Sequence, residues 1–578
     1  MTTSHAQRRR AKAAAASRTL LYCGPDPGTF ERLIDDMGKV RELKVRAVGQ
    51  ARQFQHAKAE LTWLPAHTME QAEHLLGTIF LNMIVIDLRW VSDEVEHEER
   101  INKARALLKM LDDVEDIESR YGFHRIMVLV SGPHGQRIDD LLVELGGLGI
   151  RHVLKERRFR GGETDEFFAG RVLDEAVELL FKPRALRSAL CAAGGGITAI
   201  FFELGALKCL DDCLVGGSVN DFDLYFGISA GAVVTSMVAN GYSPDEIMAS
   251  LSGVEGGRIP PLDLSIARLG HLNGPDLRWR LGEAAKAGGR ALWRMARGGE
   301  APTLDDLFLG TTALVGAPFR SDLYEELLRR VLTAPGSTND FRRLRRPLFV
   351  GATNQDTRRH VLFGDETHHT VPISKAVQAS LSINPAFSAV NIDGAWFEDG
   401  AVTRTSNFDE AIRRGADLLF ILDPFVPYHS KEPGFSHSRG LLYNIDQDVR
   451  SLSFTRFETA QSQSLRRHPE VRSYTLLPNN RLRRLLSINP MDHRVHLEVF
   501  RGSYLATLRR IQSVRHRLEG DLALRGLGLD TGPAEQIALR LEASGARPAF
   551  ADFFLNGRVE LRRPRLSLDP RRATTPET

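Results

Sequence analysis

Two short apolar segments, each followed by glycine and then by a helix-like segment, constrain the fold of this chain most strongly. The first runs from Ala189 to Ile197, ends in three consecutive glycines and precedes a predicted helix from Thr198 to Leu210. The second, Phe222 to Val234, combines an apolar strand, a Gly-x-Ser-x-Gly turn and a helix start. Two strand-glycine-helix units in succession predict a parallel sheet with helices packed on it.

The Gly-x-Ser-x-Gly turn predicts a nucleophilic serine. Gly227 and Gly231 flank Ser229 and allow the backbone angles of a sharp strand-to-helix turn, known as a nucleophile elbow. Ser229 would then lie at a helix N-terminus, where the amide of Ala230 can face a developing oxyanion. The motif is short enough to arise by chance, so the surrounding sequence has to support it.

The upstream glycines, Gly194, Gly195 and Gly196, expose backbone N–H groups that suit an oxyanion hole. A phosphate or nucleotide turn, or a simple tight connection, is the alternative interpretation. A Walker A motif is excluded because no Gly-Lys-Ser/Thr follows. A Gly-x-Gly-x-x-Gly motif is excluded because Thr198 and Ala199 stand where the last glycine is required.

A third segment supplies a candidate general base. Residues 391–401 predict a hairpin with Asp393-Gly394 at its tip and a return strand that ends at Asp399-Gly400. Asp393 occupies a turn position, where Asp-Gly is expected for backbone reasons. Asp399 ends a strand and can project into a cleft, so it is favoured as the base.

Together these segments resemble the patatin-like phospholipase family over residues 186–425. The resemblance is carried by the glycine tract, the elbow, the triplet Asp399-Gly400-Ala401, the strand segment Pro347 to Asn354, and Ala376 to Phe387 with its Ala-Ser-x-x-x-x-Pro pattern. It implies a three-layer α/β/α fold and hydrolysis of lipid acyl esters, of phospholipase A or lysophospholipase type. It also implies a Ser229–Asp399 dyad without a metal or other cofactor.

The chain departs from the family after the glycine tract. The family usually has a basic residue and then glycine there, whereas this chain has Thr198 and Ala199. Ala199 is small enough to preserve close packing. The missing cation is expected to lower the rate or to alter headgroup preference.

Two other function classes stay open. An α/β-hydrolase esterase would need a Ser-His-Asp triad, and its histidine would be one of His429, His437, His468, His493, His496 or His516. A non-catalytic, lipid-binding signalling adaptor would have no need for both Ser229 and Asp399. The pair His368-His369 lies in a polar segment without further ligands, so a solvated loop is favoured and no metal site is predicted.

Residues 18–180 show a second alternation of strands and helices, which predicts a separate doubly wound, flavodoxin-like domain. Asp87, Ser131 and Lys155 follow its later strands and resemble the phosphoacceptor and switch positions of a response-regulator receiver domain. The resemblance is partial, because Asp26 alone stands where a receiver has a pair of acids for magnesium. A degenerate receiver that acts in regulation or homo-oligomer formation is favoured over a phosphorylatable Asp87.

Residues 255–345 predict an insertion or lid. Its centre, Leu277 to Arg297, has leucines on one helical face, with Trp279 and Trp293 among the arginines. This pattern fits either a membrane-surface helix or a helix packed on the core, of which the packed helix is the more frequent.

Residues 426–560 predict a helical extension with helices at 451–467 and 495–518. Residues 1–17 predict a disordered basic tail, and 561–578 a poorly ordered one.

Composition and charge narrow the range of partners and cellular compartments. A net charge of +3 suggests no nucleic-acid partner, and four cysteines without a disulfide framework favour a reducing, cytoplasmic compartment. The sequence contains no run of 18 apolar residues, so no membrane-spanning helix is predicted. The protein is therefore expected to reach lipid as a peripheral enzyme, at the inner face of the membrane.

Overall fold

A computed structural model describes most of the chain. The described residues are 17–56, 59–89, 94–112, 117–119, 121–131, 136–157, 165, 167–181, 186–262, 273–274, 278–282, 285–286, 289, 293, 317, 319–384, 386–488, 491–545 and 548–561. Both predicted tails lie outside them, apart from Ser17 and Leu561.

The N-terminal domain is built on a seven-stranded sheet. Its strands are β1 (Ser17–Cys23), β2 (Arg46–Val48), β3 (Ala51–His56), β4 (Ala59–Ala66), β5 (Met83–Leu88), β6 (Ile126–Ser131) and β7 (His152–Glu156). Its helices are α1 (Pro27–Val40), α2 (Met69–Thr78), α3 (Glu94–Asp112), α4 (Gln136–Gly147) and α5 (Phe168–Phe181). The sheet order is β2-β3-β4-β1-β5-β6-β7, and the five strands from β4 to β7 run parallel. Those five have the flavodoxin order, so the predicted doubly wound topology is confirmed.

Both faces of this sheet are covered, as a parallel sheet requires. Leu21 of β1 packs with the core under α2, α3 and α4, whereas Leu20 and Tyr22 pack with the core under α1 and α5. The alternation follows from the period of two along a strand.

The second domain is built on an eight-stranded sheet. Before the C-terminal region its strands are β8 (Arg187–Ala192), β10 (Leu224–Ile228), β11 (Leu348–Asn354), β12 (His360–Phe363), β13 (Val390–Ile392), β14 (Ala395–Asp399) and β15 (Ala416–Leu422), with β9 (Leu214–Val215) outside the sheet. The helices are α6 (Ile197–Cys213), α7 (Ala230–Ala239), α8 (Pro244–Leu251), α9 (Asp322–Leu332), α10 (Ile373–Leu381) and α11 (Phe408–Arg413). The order is β13-β14-β11-β10-β8-β15-β16, where β16 (Arg472–Leu476) comes from the C-terminal region and β12 pairs with β11. Helices on a parallel-rich sheet give the predicted mixed α/β fold.

The C-terminal region completes this domain. It contains α12 (Phe435–Ser438), α13 (Leu441–Arg467), β16 (Arg472–Leu476), α14 (Asn480–Ile488), α15 (His496–Ser513), α16 (Arg515–Ala523), β17 (Gly528–Leu529) and α17 (Gly532–Ala543). The first predicted helix starts ten residues earlier than expected, and the second is divided at Val514. The prediction also missed β16, which pairs parallel with β15, because a five-residue strand among helices has too short a pattern to recognise.

The two domains meet at Glu118, which lies just after α3. Its carboxylate accepts hydrogen bonds from Ser473 Oγ (2.8 Å), the Thr475 N–H (3.0 Å), Thr475 Oγ1 and Gln461 Nε2 (3.0 Å), and it pairs with Arg510 at 2.7 Å. The Glu118 side chain is only 5% exposed. A buried carboxylate satisfied by this many donors holds the N-terminal domain against β16, α13 and α15.

Replacing Glu118 with alanine is expected to loosen this junction. The change leaves several buried donors without their shared acceptor, a cost of about 1–3 kcal/mol. Calorimetry should then show the two domains unfolding in separate transitions instead of together. The control is Glu144→Ala, which removes an exposed pair with Arg105. An unchanged calorimetric profile for Glu118→Ala would contradict the role of this contact.

Candidate active site

The predicted elbow has the geometry of a strained nucleophile. Ser229 lies between β10 and α7 with φ 53° and ψ −121°, a conformation that costs a non-glycine residue free energy. A Cβ on Gly227 would lie 2.5 Å from Cα of Ala232, and one on Gly231 would overlap the Ala192 carbonyl group. A side chain at either position would clash with neighbouring backbone, so both positions require glycine.

The glycine tract lies against this serine. A Cβ on Gly194 would be 3.0 Å from Ser229 Cβ and 3.6 Å from its Oγ. Gly195 and Gly196 have φ of 147° and 80°, which favours glycine at both positions. The Gly231 N–H donates to the Ala193 carbonyl at 3.0 Å and ties the elbow to the tract. The N-termini of α6 and α7, which begin next to Gly196 and at Ala230, thus point their positive dipole ends towards Ser229.

The structure separates the two candidate aspartates. Asp393 and Gly394 have φ of 52° and 84° and form the exposed turn between β13 and β14, as a two-residue hairpin of type I′ requires. Asp399 ends β14, is only 2% exposed and lies close enough to the Ser229 hydroxyl for this hydroxyl to lower its pKa. Sheet register explains this proximity, because β11 lies between the two strands that carry Ser229 and Asp399.

Burial raises the pKa of Asp399 to about 7. The Ser229 hydroxyl and the Ala401 N–H, which donates a hydrogen bond at 2.8 Å, act against this rise, and the neighbouring carboxylate of Glu398 adds to it. Glu398 is held in place by Arg358 at 2.6 Å. A carboxyl with a pKa near neutral pH is well matched to accept and return a proton.

The glycine of the Asp399-Gly400-Ala401 triplet is also explained by space. A Cβ on Gly400 would overlap the Gly351 carbonyl and lie 3.1 Å from a methyl of Ile228. The chain after Asp399 therefore passes directly over β11 and beside the strand that leads to Ser229. This close passage holds Asp399 near the nucleophile.

The Ala-Ser-x-x-x-x-Pro pattern of the sequence includes Ser380, but it does not reveal the role of this residue. Ser380, on α10, accepts a hydrogen bond from the Ser229 N–H at 2.8 Å and donates one to the Gly351 carbonyl at 2.6 Å. The hydroxyl thus links the strained backbone of the nucleophile to the central strand β11. No sequence spacing indicates a contact between residues 151 positions apart.

Replacing Ser380 with alanine is expected to lower kcat for ester hydrolysis by about 10- to 100-fold, because the Ser229 N–H loses its acceptor and the elbow can relax. KM should change little, since Ser380 is not expected to contact substrate. Ser374→Ala is the matched control, because it removes a buried hydroxyl from the same helix, bonded to Glu325 at 2.7 Å. Equal loss of activity in both variants would indicate general destabilisation instead of positioning.

A buried polar chain lies behind Asp399. Thr353 Oγ1 donates to the Asp399 carbonyl at 3.0 Å and shares a hydrogen bond with Thr403 Oγ1 at 2.8 Å. His360 contacts Thr403 through Nδ1 and Asn407 through Nε2, both at 2.9 Å. Burial lowers the pKa of His360 to about 4, so its ring is neutral and supports the loop that follows Asp399.

The six histidines considered for a triad lie elsewhere. Within the described residues, none of His429, His437, His468, His493, His496 and His516 hydrogen-bonds to Ser229 or Asp399. His496, for example, packs edge-on against Phe201 and Phe500, and His468 faces Glu470.

The two departures from the family pattern lie at the start of α6. Thr198 is fully buried, and Ala199 Cβ would be 2.9 Å from a Cβ on Gly195, so a small residue packs closely there. A cation reaches the neighbourhood from another element. The guanidinium of Arg456, on α13, donates to the carbonyls of Ala401 and Val402 at 3.4 and 3.5 Å.

The receiver-like residues lie at the same edge of the N-terminal sheet as Asp87, but the Asp87 carboxylate itself is bound by other side chains. This carboxylate is buried, accepts a hydrogen bond from the Tyr22 hydroxyl at 2.6 Å and pairs with Arg89 at 2.8 Å. Ser131 donates instead to Glu156 at 2.8 Å, and Lys155 is exposed.

The predicted insertion is described only in part. Most of Leu277 to Arg297 lies outside the described residues, but Trp279, Leu281 and Trp293 are 62%, 56% and 58% exposed. No helix in the described ranges is both long and apolar enough to cross a bilayer. The described part of the chain likewise contains no group of three or more His, Cys, Asp or Glu side chains arranged to hold a metal.

Comparison with known proteins agrees with this geometry. Residues 190–412, which include Ser229 and Asp399, match the family model described as patatin-like phospholipase. No curated protein matches the chain.

Similar solved structures include VipD from Legionella pneumophila, at 15% identity and a TM-score of 0.27, covering 62% of this chain and 73% of VipD. The type III effector ExoU is 15% identical with a TM-score of 0.25, covering 62% of this chain and 64% of ExoU. A complex of SpcU with ExoU from Pseudomonas aeruginosa is also similar, at 15% identity and a TM-score of 0.23, covering 64% of this chain and 70% of the matched chain. Similarity at this level says nothing about activity. The family match gives the clearer result: the domain that holds Ser229 and Asp399 is similar to the patatin-like phospholipases.

Proposed function

We propose that this protein is a serine acyl hydrolase that cleaves lipid acyl esters through a Ser229–Asp399 dyad. One observation carries the proposal: a serine on a strained elbow lies beside a buried carboxyl whose pKa is about 7 and which the serine hydroxyl helps to keep ionisable. The family match at residues 190–412 supports lipid esters as the substrate class.

In the first half-reaction, the Asp399 carboxylate accepts the hydroxyl proton as Ser229 Oγ attacks the acyl carbonyl carbon. The carbonyl oxygen becomes an oxyanion, which the N–H groups of Gly195, Gly196 and Ala230 stabilise at the N-termini of two helices. The protonated Asp399 then returns its proton to the leaving alkoxide. The ester C–O bond breaks, and an acyl-serine remains.

In the second half-reaction, Asp399 accepts a proton from water as the water oxygen attacks the acyl-serine carbonyl. The tetrahedral intermediate collapses with cleavage of the bond to Ser229 Oγ, which regains its proton from Asp399. The products are a free fatty acid and the original enzyme. A single carboxylate acts as base and acid in both halves, which a pKa close to neutral pH allows.

The direct test is covalent capture of the nucleophile. Ser229 Oγ should attack the phosphorus of a fluorophosphonate probe and displace fluoride into solvent while Asp399 accepts the hydroxyl proton, so that this residue alone is labelled in a peptide map. Phospholipid vesicles should release free fatty acid in the same preparation, and prior labelling should abolish the release. An unlabelled Ser229 together with no fatty-acid release from phospholipid or short-chain esters would favour the non-catalytic adaptor.

We further propose that Trp279 and Trp293 contact the membrane surface. Both side chains are more than half exposed, and indole rings favour the interface between headgroups and acyl chains. The double change to alanine is expected to weaken binding to phospholipid vesicles by at least about tenfold. Hydrolysis of a soluble short-chain ester should be unchanged. Leu539→Ala on α17, which removes another exposed apolar side chain, is the control, and equal vesicle binding by all three proteins would exclude the contact.

For the N-terminal domain we propose regulation or self-association instead of phosphate transfer. Asp87 is occupied by Arg89 and Tyr22, and Asp26 caps α1 through the Thr29 N–H at 2.9 Å. Incubation with a small phosphodonor such as acetyl phosphate tests this directly. Retention of phosphate on Asp87 would overturn the proposal.

A further inference from the structure

A cavity of about 960 Å³ lies between the two domains, away from Ser229. Its N-terminal wall is formed at the amino ends of β1, β5, β6 and β7, where Arg18, Asn82, Arg125 and Arg151 lie. This is the edge of the sheet opposite to Asp87 and Ser131. The other wall is the end of α13 and the loop after it. The volume is at the upper end of the range of small-molecule sites.

The lining of this cavity is strongly basic. Its charged and titratable residues are Arg18, Arg125, Arg151, Arg466, Arg467, His124 and His152, against Asp112 and Glu470. Arg125 is only 6% exposed, so its charge acts in a poorly screened environment. A concave site with an excess of one charge attracts ligands of the other, and guanidinium groups match the oxygen geometry of phosphate.

Apolar side chains make up part of the remaining wall. Leu148, Leu179 and Leu186 line the cavity together with Phe181, whose ring is partly exposed. A ligand that fills this space therefore combines an anionic group with an apolar or aromatic part. An inorganic anion alone would leave most of the volume empty.

Helix α13 connects this cavity to the candidate active site. It has 27 residues and so a length of about 40 Å. Arg466 and Arg467 at its end line the cavity, and Arg466 pairs with Asp112 of the other domain at 3.3 Å. About 16 Å back along the helix axis, Arg456 donates to the carbonyls of Ala401 and Val402, two and three residues after Asp399.

The junction between the domains can accommodate a rearrangement. A second cavity, of about 400 Å³, lies beside Glu118 between α2 and α16. Interfaces between domains that are polar and not fully packed allow domains to shift by small amounts relative to one another, even where a contact such as that of Glu118 holds them together. A ligand that draws Arg466 and Arg467 towards the N-terminal domain would move α13, and with it the support of the Asp399 loop.

We propose that the interdomain cavity binds a phosphorylated small molecule of nucleotide size and that α13 transmits its binding to the Asp399 loop. Binding itself is independent of the chemistry proposed for Ser229. The regulatory consequence rests on that proposed function, because there must be hydrolysis to regulate.

Binding is tested by calorimetric titration of the full chain with ATP and with inorganic pyrophosphate. ATP is expected to bind more tightly than pyrophosphate, and both affinities should fall as salt is raised. The double change Arg466→Gln and Arg467→Gln should weaken binding by at least about tenfold. The matched control is Arg329→Gln with Arg330→Gln, an adjacent exposed pair in the last turn of α9. No binding of either probe, or equal weakening by both double variants, would overturn the site.

Coupling is tested by hydrogen exchange of Ser229→Ala protein, which needs no activity. Saturating ATP should slow amide exchange in residues 400–405, and Arg456→Gln should remove that effect while leaving ATP affinity unchanged. Binding without any change in that segment would refute the coupling. If ATP binds as expected but no ester is cleaved, the proposed function fails and the cavity site stands. If esters are cleaved but neither probe binds, the proposed function stands and the cavity site fails.

Discussion

Replacing Ser229 with alanine is expected to lower kcat/KM for ester hydrolysis by about 10⁴-fold or more, because loss of a covalent nucleophile removes the whole acyl-enzyme pathway. The measurement is fatty-acid release from phospholipid and from a short-chain chromogenic ester. Ser236→Ala is the matched control, since this buried hydroxyl lies on α7 and bonds to the Val233 carbonyl of its own helix at 2.8 Å. Full activity of the Ser229 variant would place the nucleophile elsewhere.

A glycine variant separates chemistry from strain at the same position. Ser229→Gly should be as inactive as the alanine variant but more stable by about 1 kcal/mol, because glycine adopts a φ of 53° without a Cβ penalty. Equal stability of the two variants would mean that the elbow does not store strain.

The second large effect is expected from Asp399→Asn. An amide cannot accept the Ser229 proton, so kcat should fall by about 10³- to 10⁴-fold. In the wild-type enzyme, Asp399 has to be ionised before it can act. With its pKa at about 7, kcat/KM should be low below pH 6 and rise to a plateau above pH 8. A pH profile that is flat between these values would exclude Asp399 as the base.

The same substitution should stabilise the fold at high pH. The folded state holds the Asp399 proton up to about pH 7, whereas an unfolded chain loses it near 3.8, so ionisation makes wild-type stability fall as the pH rises through this window. The difference corresponds to about 4 kcal/mol at its maximum, since one pKa unit is about 1.4 kcal/mol. Asp399→Asn should therefore unfold at a higher temperature than wild type at pH 8. The gain should shrink towards pH 4. Glu410→Gln, at a half-buried surface carboxylate, is the control.

The parts of the site that the sequence predicted are those encoded locally. Gly227, Ser229 and Gly231 specify the elbow within five residues, and Asp393-Gly394 specifies the hairpin turn. In each case, one backbone conformation allows few residue types, so the pattern is visible without a structure. The doubly wound order of the N-terminal strands was predictable for a similar reason, since strands and helices alternate along the chain.

The parts that the sequence did not reveal depend on contacts between distant segments. Ser380 reaches the Ser229 N–H because α10 packs over β11, and Glu118 finds its donors on β16 and α15. The pKa of Asp399 follows from complete burial, which is a property of the assembled sheet. The short strand β16 was missed because its pattern is weak and its pairing with β15 is decided by tertiary packing.

The C-terminal region packs against the sheet and helices of the second domain. The folding unit is therefore larger than the segment that matches the patatin-like family. Residues 190–412 include neither β15, which separates β8 from β16, nor α15, which packs so closely on α6 that a Cβ on Gly205 would lie 2.6 Å from the Phe500 carbonyl oxygen. A fragment cut at residue 425 would expose the apolar faces of α6 and β15 to water and leave an open sheet edge. Sequence similarity thus marks the chemistry of this domain, and its physical boundary lies more than a hundred residues further on, beyond α17.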